Sequence, residues 1–192
     1  MRSTLRPAFA LFAALTLLVG VVYPLAVTGI GKLAFSGQAD GSLLVRDGKP
    51  AGSRLIGQAF TAPRYFWGRP SATGPMPNNA ANGSGSNLGP LNPALIESVK
   101  SRIAALREAD PGNRAAIPVD LVTASASGLD PDISAAGARY QAARVAAARH
   151  LPLARVEALI DAHTEGPAFG LLGEARVNVL QLNLALDAEA AP

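Results

Sequence analysis

The feature that most limits what this chain can fold into is a continuous apolar stretch, Ala8–Ile30, which runs for 23 residues without a charged side chain. A helix of that length reaches about 34 Å, enough to cross a hydrocarbon core of about 30 Å. In a bilayer a lone segment must be helical, because no water is present to satisfy its backbone groups. Pro24 should kink the helix or end its regular part, and Gly20 would let a neighbouring helix approach closely. The stretch predicts a single transmembrane helix.

The flanks of this stretch indicate how it is used. A cleaved secretory signal is the alternative, but the apolar region of a signal has about 7–15 residues, and this one is longer. Arg2 and Arg6 precede the stretch, whereas only Lys32 follows it closely. Because positive residues favour the cytoplasmic side, we expect residues 1–7 in the cytoplasm, residues 8–30 in the membrane and residues 31–192 as an extracytoplasmic soluble domain.

The composition excludes several classes of protein. The 192 residues include no cysteine, which excludes a disulfide scaffold and cysteine-ligated zinc. Without Arg2 and Arg6, the 17 basic residues fall to 15, against 14 acidic ones. The basic residues are scattered and aromatic residues make up only 5% of the chain, so no nucleic-acid surface is expected.

The pattern after the apolar stretch predicts an α+β fold, in which one soluble domain has three or four helices and a small sheet. Asp47-Gly48 is a hairpin signal, and it predicts strands at Leu43–Val45 and Leu55–Phe60. A further strand is predicted at Pro118–Thr123. Residues 177–186 alternate as in a strand but also fit a helical face, and we favour a buried terminal helix that Asn178 could cap.

Three more helices follow from capping and breaking residues. Asn92-Pro93 supplies a cap and a first residue for an amphipathic helix that ends near Ala109, with Arg102 largely off its apolar face. The other two run from a cap at Asp130 or Ser134 to about His150, and over residues 153–162.

Residues 61–92 are too rich in Pro, Gly and Asn for a helix or a long strand. A loop of this length is either functional or disordered. Within it, Tyr65, Phe66 and Trp67 are consecutive aromatic residues that are costly to leave in water. We therefore expect this segment to be held against the domain, the membrane interface or a partner.

No catalytic signature is present, and we predict neither a catalytic residue nor a metal site. His150 and His163 stand near helix ends, where the helix dipole favours them, and they lack the spacing of a zinc site. Asp130 and Asp132 flank a proline and are better suited to capping than to acid–base catalysis.

The segment that contains Ser125, Ser127 and Gly128 reads as a strand-turn-helix junction, which either binds an anion through its amides or is an ordinary tight turn. Gln141 lies on the helix that follows, where a solvated side chain is the usual expectation.

Several blocks of sequence, in order along nearly the whole chain, resemble a known family. The blocks are Arg6-Pro7, Val22-Tyr23-Pro24, Gly57-Gln58, Tyr65–Ala72, Ser86–Pro90, Asp120–Pro131, Arg176–Leu180 and Leu182–Asp187. Together they resemble the C subunit of the Kdp-type potassium-transporting P-type ATPases of bacteria. Trp67 is a departure, since a polar residue such as Gln is expected there.

The resemblance implies an accessory, non-catalytic subunit of a high-affinity potassium uptake complex in the bacterial inner membrane. Its partners would be membrane lipid, a channel-like potassium-binding subunit and an ATP-hydrolysing P-type ATPase subunit. It would support assembly and act as a catalytic chaperone that raises the affinity of the hydrolysing subunit for ATP. No covalently bound cofactor is implied. The chain itself has neither a phosphorylation segment nor a selectivity-filter sequence.

The resemblance also assigns residues. It associates Gln141 with nucleotide, and Ser125, Ser127 and Gly128 go with it as candidates. The charge asymmetry conflicts with this role, because it places Gln141 outside the cell, where ATP is scarce. An external domain would instead cover the ion entrance and brace the channel-like subunit. Candidate partner-contact residues are Tyr65, Phe66, Trp67, Arg69, Gly20 and Pro24. The alternative is an independent membrane-anchored protein that binds a small ligand outside the cell.

Overall fold

The computed structural model describes residues 2–189, with side chains from Thr4 onward. Parts of the predicted segments 1–7 and 31–192, namely residue 1 and residues 190–192, lie outside the described residues. The chain divides into two compact units, the first ending at Ala51 and the second beginning at Gly52. The second unit is mixed α+β, as predicted.

The first unit is dominated by one apolar helix. It consists of α1 (Arg2–Leu17), a π-helical turn (Leu18–Val22) and α2 (Tyr23–Ala34). Residues Thr4–Ala34 are long and apolar enough to cross a membrane, with a mean hydropathy of 2.3 in their most apolar window. The helix thus extends beyond both ends of the predicted span.

The π turn has an identifiable cause in Pro24. Proline lacks the backbone N–H, and its ring would clash with the carbonyl group four residues earlier, at Gly20. The chain widens just before the proline, where Tyr23 donates its N–H to the carbonyl of Leu18, five residues back. The predicted disturbance at Pro24 is therefore a local π bulge, and the helix continues through it.

The hairpin was predicted at the right turn but with the wrong second strand. After α3 (Ser36–Ala39), β1 (Leu43–Arg46) pairs with β2 (Lys49–Ser53). Asp47 and Gly48 both have positive φ, of 51° and 72°. A two-residue turn of this kind returns the chain at once, so pairing starts at Lys49 and residues 55–60 form no strand.

Within its described residues, 52–189, the second unit contains four α-helices and a three-stranded antiparallel sheet. The sheet has the order β3 (Asp132–Ser134), β5 (Arg176–Asn178), β4 (Thr164–Glu165), with Ile133 and Thr164 both opposite Val177. The helices are α4 (Pro93–Ala109), α5 (Ala135–Arg149), α6 (Leu153–Ala162) and α7 (Val179–Glu189).

Three capping predictions, at Asn92, Ser134 and Asn178, are confirmed. The Asn92 side chain accepts a hydrogen bond from the Ala94 N–H at 2.9 Å, and Ser134 accepts one from the Gly137 N–H at 2.9 Å. The ambiguous C-terminal segment is both structures in turn: its first residues form β5, and Asn178 then accepts a hydrogen bond from the Gln181 N–H as α7 begins.

The strand predicted at Pro118–Thr123 is wrong, because Val119–Leu121 is a 3-10 turn. Proline has no N–H for a sheet, and the Leu121 N–H bonds back to the Pro118 carbonyl at 3.1 Å. The Asp120 carboxylate also accepts hydrogen bonds from the N–H and the hydroxyl of Ser134, at 2.7 and 3.2 Å. These contacts tie the turn to the end of β3.

The 61–92 loop has no strand, only a short 3-10 turn at Ala80–Asn82, and it is held by hydrogen bonds. The Ser71 hydroxyl donates to the Gly128 carbonyl at 2.7 Å, and the Ser84 N–H donates to the Ser127 carbonyl at 2.8 Å. Gly128 has a φ of +67°, and a Cβ there would lie 2.5 Å from the Ser84 oxygen. The close approach of the two loops therefore requires glycine at this position.

Candidate functional site

The segment Tyr65–Arg69, here called the aromatic segment, passes through the core of the second unit. Phe66 is 0% exposed and Trp67 is 8% exposed. They pack with apolar side chains of α4, α5, α6, α7 and the sheet, among them Leu106, Val145, Ile160, Val177 and Leu182. A loop that is buried in this way takes polar backbone groups out of water, and these groups need partners.

Two side-chain amides supply those partners. Asn183 on α7 accepts a hydrogen bond from the Phe66 N–H at 2.8 Å and donates one to the Phe66 carbonyl at 3.0 Å. Gln141 on α5 does the same for Trp67, at 2.8 and 3.0 Å. Consecutive residues of the segment are thus bonded from two helices, as they would be by neighbouring strands. We call Gln141 and Asn183 the amide clamp.

Arg144, one turn after Gln141, completes the contacts from α5. Its guanidinium donates to the carbonyls of Pro63 and Tyr65 and, at 2.6 Å, to the Oε1 of Gln141. The same group lies 4.6 Å from the centre of the Trp67 ring. Burial lowers the pKa of Arg144 to about 10, which leaves it cationic at neutral pH. Its charge is compensated by carbonyl oxygens and a π face.

Arg102 approaches the same tryptophan from α4. Its guanidinium lies 5.3 Å from the Trp67 ring and donates to the carbonyls of Gly68 at 2.8 Å and Leu121 at 3.0 Å. Burial lowers its pKa. Sequence reasoning placed Arg102 largely off the apolar face. It instead lies at the edge of the core, because its aliphatic stem can pack there while its donors reach the carbonyls.

Two more arginines hold the ends of the segment. Arg149 donates to the Arg64 carbonyl at 2.7 Å and to the Asp187 carboxylate at 2.7 Å, and its guanidinium lies 4.9 Å from the Tyr65 ring. At the other end Arg69 pairs with Asp130 at 3.0 Å and donates to the Ala124 carbonyl at 3.2 Å. The arrangement fixes the backbone of a loop, and its polar groups are already hydrogen-bonded within the chain.

Gln141 is 1% exposed, so the expectation of a solvated side chain is wrong. Both kinds of amide group are occupied: the Nε2 donates to Trp67 and Gly137, and the Oε1 accepts from Trp67 and Arg144. The nucleotide role that the resemblance assigns to Gln141 stays a prediction. Direct contact with a ligand would require these bonds to open.

The predicted strand-turn-helix junction at Ser125, Ser127 and Gly128 is a loop that leads into β3. The two alternatives were an anion-binding junction and an ordinary tight turn, and the geometry is that of a tight turn. The Ser125 hydroxyl accepts from the Gly128 N–H at 3.0 Å, and the Ser127 hydroxyl accepts from the Leu129 N–H at 3.2 Å. An anion at this turn would compete with both hydroxyls for the amides.

The carboxylates and histidines have structural partners. Asp130 accepts a hydrogen bond from the Asp132 N–H at 3.0 Å. Asp132 pairs with Arg176 at 3.2 Å and accepts from Asn178 at 3.0 Å, while burial raises its pKa. His150 is the left-handed C-cap of α5, and His163 caps α6. Among residues 2–189, no group of three or more such side chains could hold a metal ion.

We expected the aromatic segment to be held against the domain, the membrane interface or a partner, and it is the domain itself that holds it. Phe66 and Trp67 have little or no surface to offer a partner, so any contact outside the chain would use the half-buried Tyr65 and Arg69. Gly20 and Pro24 lie on the exposed apolar helix. Contact of these residues with a partner stays a prediction.

Sequence reasoning missed four of the side chains that bond the backbone of the aromatic segment and of the residue before it, namely Arg102, Arg144, Arg149 and Asn183. A signal was present for two of them. Arg144 is preceded by Ala142-Ala143 and followed by Val145, and Asn183 stands between two leucines. A polar residue inside an apolar helical face indicates a buried polar group, which needs a hydrogen-bonding partner.

Comparison with known proteins agrees along the length of the chain. Residues 5–188 match the family model described as KdpC: K+-transporting ATPase, c chain. A potassium-transporting ATPase KdpC subunit of Herminiimonas arsenicoxydans is 68% identical over 97% of this chain and 98% of its own. Those of Polaromonas naphthalenivorans and Variovorax paradoxus are 70% and 65% identical, over 98% and 100% of this chain and 96% and 99% of their own.

Proposed function

The chain belongs to the KdpC family of K+-transporting ATPase subunits, and from this premise we propose that it is an accessory, non-catalytic subunit that supports assembly of the complex and raises the affinity of the ATP-hydrolysing subunit for ATP. The observation that carries the proposal is the family match, which covers both the apolar helix and the mixed α+β unit. Its partners would be the channel-like subunit and the ATP-hydrolysing subunit.

The two compact units suggest separate tasks. The 31-residue apolar helix would anchor the chain in the inner membrane, with Gly20 and the π turn available to a neighbouring helix. The second unit would lie outside the cytoplasm, in accord with Arg2 and Arg6 before the span. There it would brace the channel-like subunit at the ion entrance.

The hydrogen bonds that Gln141 and Arg144 make within the chain favour an indirect effect on nucleotide binding. Gln141 and Arg144 are already bonded to the aromatic segment, which suits a rigid support better than a ligand pocket. An external domain would change ATP affinity by binding one state of the pump more tightly than another. Linkage then requires ATP to strengthen the binding of this chain by the same factor.

Gentle purification of the tagged chain from native membranes tests the proposal. We expect a channel-like subunit and a P-type ATPase in equal amounts, with potassium-stimulated ATP hydrolysis. The complex purified without this chain should need more ATP for half-maximal binding, and adding the full chain should restore the affinity. A chain that purifies alone, under conditions that preserve other complexes, would support the independent binding protein and refute the proposal.

Orientation can be tested with introduced thiols, because the chain has no cysteine. Glu157→Cys on the exposed face of α6 should react with a membrane-impermeant maleimide in intact cells. Thr4→Cys, at the start of the apolar helix, should react only after the membrane is opened. The reverse pattern would place the second unit in the cytoplasm and would reopen direct nucleotide contact at Gln141.

A further inference from the structure

The loop between β4 and β5 contains an exposed apolar turn, Ala168–Leu172, here called the apolar tip. Phe169 is 95% exposed, Leu171 is 86% exposed and Leu172 is 65% exposed. Single exposed apolar residues such as Leu91 and Val119 are ordinary on a protein surface. Here three large ones are exposed within four residues of one turn, and a concentration of exposed apolar side chains is typical of an interaction site.

The apolar tip is preformed. Ala168 and Leu172 exchange two backbone hydrogen bonds, of 2.8 and 2.9 Å, and the Gly170 N–H donates to the Pro167 carbonyl at 3.0 Å. Phe169 has a φ of +55° and Gly170 a φ of +74°. A left-handed backbone is unfavourable for a bulky residue, and such strain is characteristic of binding elements. A turn that is already ordered loses less conformational entropy on binding.

The charges around the tip indicate the chemistry of its partner. Glu165 and Glu174 are exposed on either side of it, and Arg176 already pairs with Glu165 at 2.8 Å and with Asp132 at 3.2 Å. The residues that flank the tip, Glu165, Glu174 and Arg176, are here called its stem, and they carry more negative than positive charge. An anionic lipid surface attracts basic segments and would repel this one. A protein pocket with an apolar floor and a basic rim is complementary to both the tip and its stem.

We propose that the apolar tip inserts into an apolar pocket with a basic rim on another protein subunit of the ATPase complex. Phe169 is the central anchor, since a rigid exposed aromatic side chain provides a large contact area. Glu165 and Glu174 set the orientation through the rim. This inference rests on the proposed function, because it requires a complex for the chain to join.

Photo-crosslinking identifies what the tip touches. p-Benzoylphenylalanine is placed at position 169 of the full chain within the assembled complex, and at position 91 as an equally exposed site that does not belong to the tip. We expect position 169 to crosslink to a protein subunit. Position 91 should give no crosslink to the part of that subunit that position 169 reaches. Crosslinks from position 169 to lipid alone, or none when the full-length labelled chain is present in the complex, overturn the proposal.

Binding of variants measures the contribution of the tip. Phe169→Asp should weaken binding of the full chain to the complex purified without it by about 30-fold or more, as for a central anchor residue. Leu91→Asp, the matched control, should change it by less than about twofold, as expected outside the interface. Glu174→Lys should weaken binding most at low salt.

The thermal unfolding of each variant chain is measured in parallel. Phe169→Asp should leave it unchanged, so that weaker binding cannot come from misfolding. If the unaltered chain binds and restores ATP affinity while Phe169→Asp binds equally well, the tip proposal fails and the proposed function stands. If the unaltered chain does not join any complex, the proposed function itself fails.

Discussion

Two loop segments of the second unit carry large apolar side chains, and the fold treats them in opposite ways. The aromatic segment, Tyr65–Arg69, is drawn into the core, whereas the apolar tip, Ala168–Leu172, stands in solvent. Side-chain hydrophobicity cannot explain the difference, because each segment contains a phenylalanine among other large apolar residues. The explanation lies in how each satisfies its backbone.

The apolar tip bonds Ala168 to Leu172 across the turn, and its Gly170 N–H donates to the carbonyl of the adjacent Pro167, so these bonds stay within the turn and the residue before it. The aromatic segment forms no helix or strand, and its backbone groups are bonded instead by side chains of three helices, α4, α5 and α7. A loop can enter a core only where side chains replace water. A self-bonded turn is free to serve another molecule.

The two phenylalanines provide the largest contrast. Phe66→Ala should lower the free energy of unfolding by about 3–5 kcal/mol, because it leaves a cavity in the core. Phe169→Ala should change it by less than about 0.5 kcal/mol. Urea denaturation of the full chain in detergent measures both, with the buried Trp67, the single tryptophan, as fluorescence probe. Equal losses would contradict the assignment of the tip to the surface.

The amide clamp is the next test. Gln141→Leu is similar in volume but leaves the N–H and carbonyl of Trp67 buried without partners, so stability should fall by about 2–4 kcal/mol. The same urea titration serves as the measurement. Gln181→Leu is the control, because its half-buried side chain makes no hydrogen bond within residues 2–189, and it should have little effect. If Gln141→Leu left the stability unchanged, water would be able to replace the hydrogen bonds of the clamp.

A smaller loss of stability is expected when Arg144 is replaced by a residue that has the same charge but lacks the planar guanidinium. Arg144→Lys cannot reach the Pro63 carbonyl, the Tyr65 carbonyl and Gln141 together, and stability should fall by about 1–3 kcal/mol. Arg139→Lys, on the same helix but in an exposed pair with Asp161, should cost less than about 0.5 kcal/mol. Comparable effects in thermal or urea unfolding would show that charge alone holds the segment.

The smallest effect concerns pH and the base of the tip's stem. Burial raises the pKa of Asp132 in the folded chain. At a pH between the pKa values of the unfolded and the folded chain, Asp132 is therefore still largely protonated in the folded chain but ionised in the unfolded chain. Ionisation of Asp132 thus opposes folding: its contribution to stability falls as pH rises through the acidic range and recovers on acidification. The pH profile of unfolding for the unaltered chain, minus that for Asp132→Asn, should slope downward with rising pH. An upward slope would mean that Arg176, which lowers the pKa of Asp132, has a larger effect on it than burial.

The sequence was informative wherever structure is set locally. Asn92, Ser134 and Asn178 cap helices by bonding a nearby N–H, and residues within three positions determine that outcome. Asp47-Gly48 likewise determined a turn. The second strand of that hairpin was misplaced because strand character was sought in the apolar residues 55–60, although the length of the turn had already fixed where pairing begins.

The clamp could not be read in the same way, since it joins residues far apart in the chain. Gln141 lies 74 positions from Trp67, and Asn183 lies 117 positions from Phe66. An amide on a helix looks the same in sequence whether it faces water or a buried backbone. The family resemblance drew attention to Gln141, but the hydrogen bonds that occupy its amide became visible only in the fold.

The π turn at Leu18–Val22 changes how the long apolar helix presents itself to other helices. Each residue of an α-helix turns the chain by about 100°, and a π turn accommodates one residue more than the α-helical repeat. The stripe of side chains along residues 4–17 is therefore out of phase with the stripe along residues 23–34. A straight neighbouring helix that follows the first stripe meets a different face after Gly20, so the two halves can serve two different neighbours.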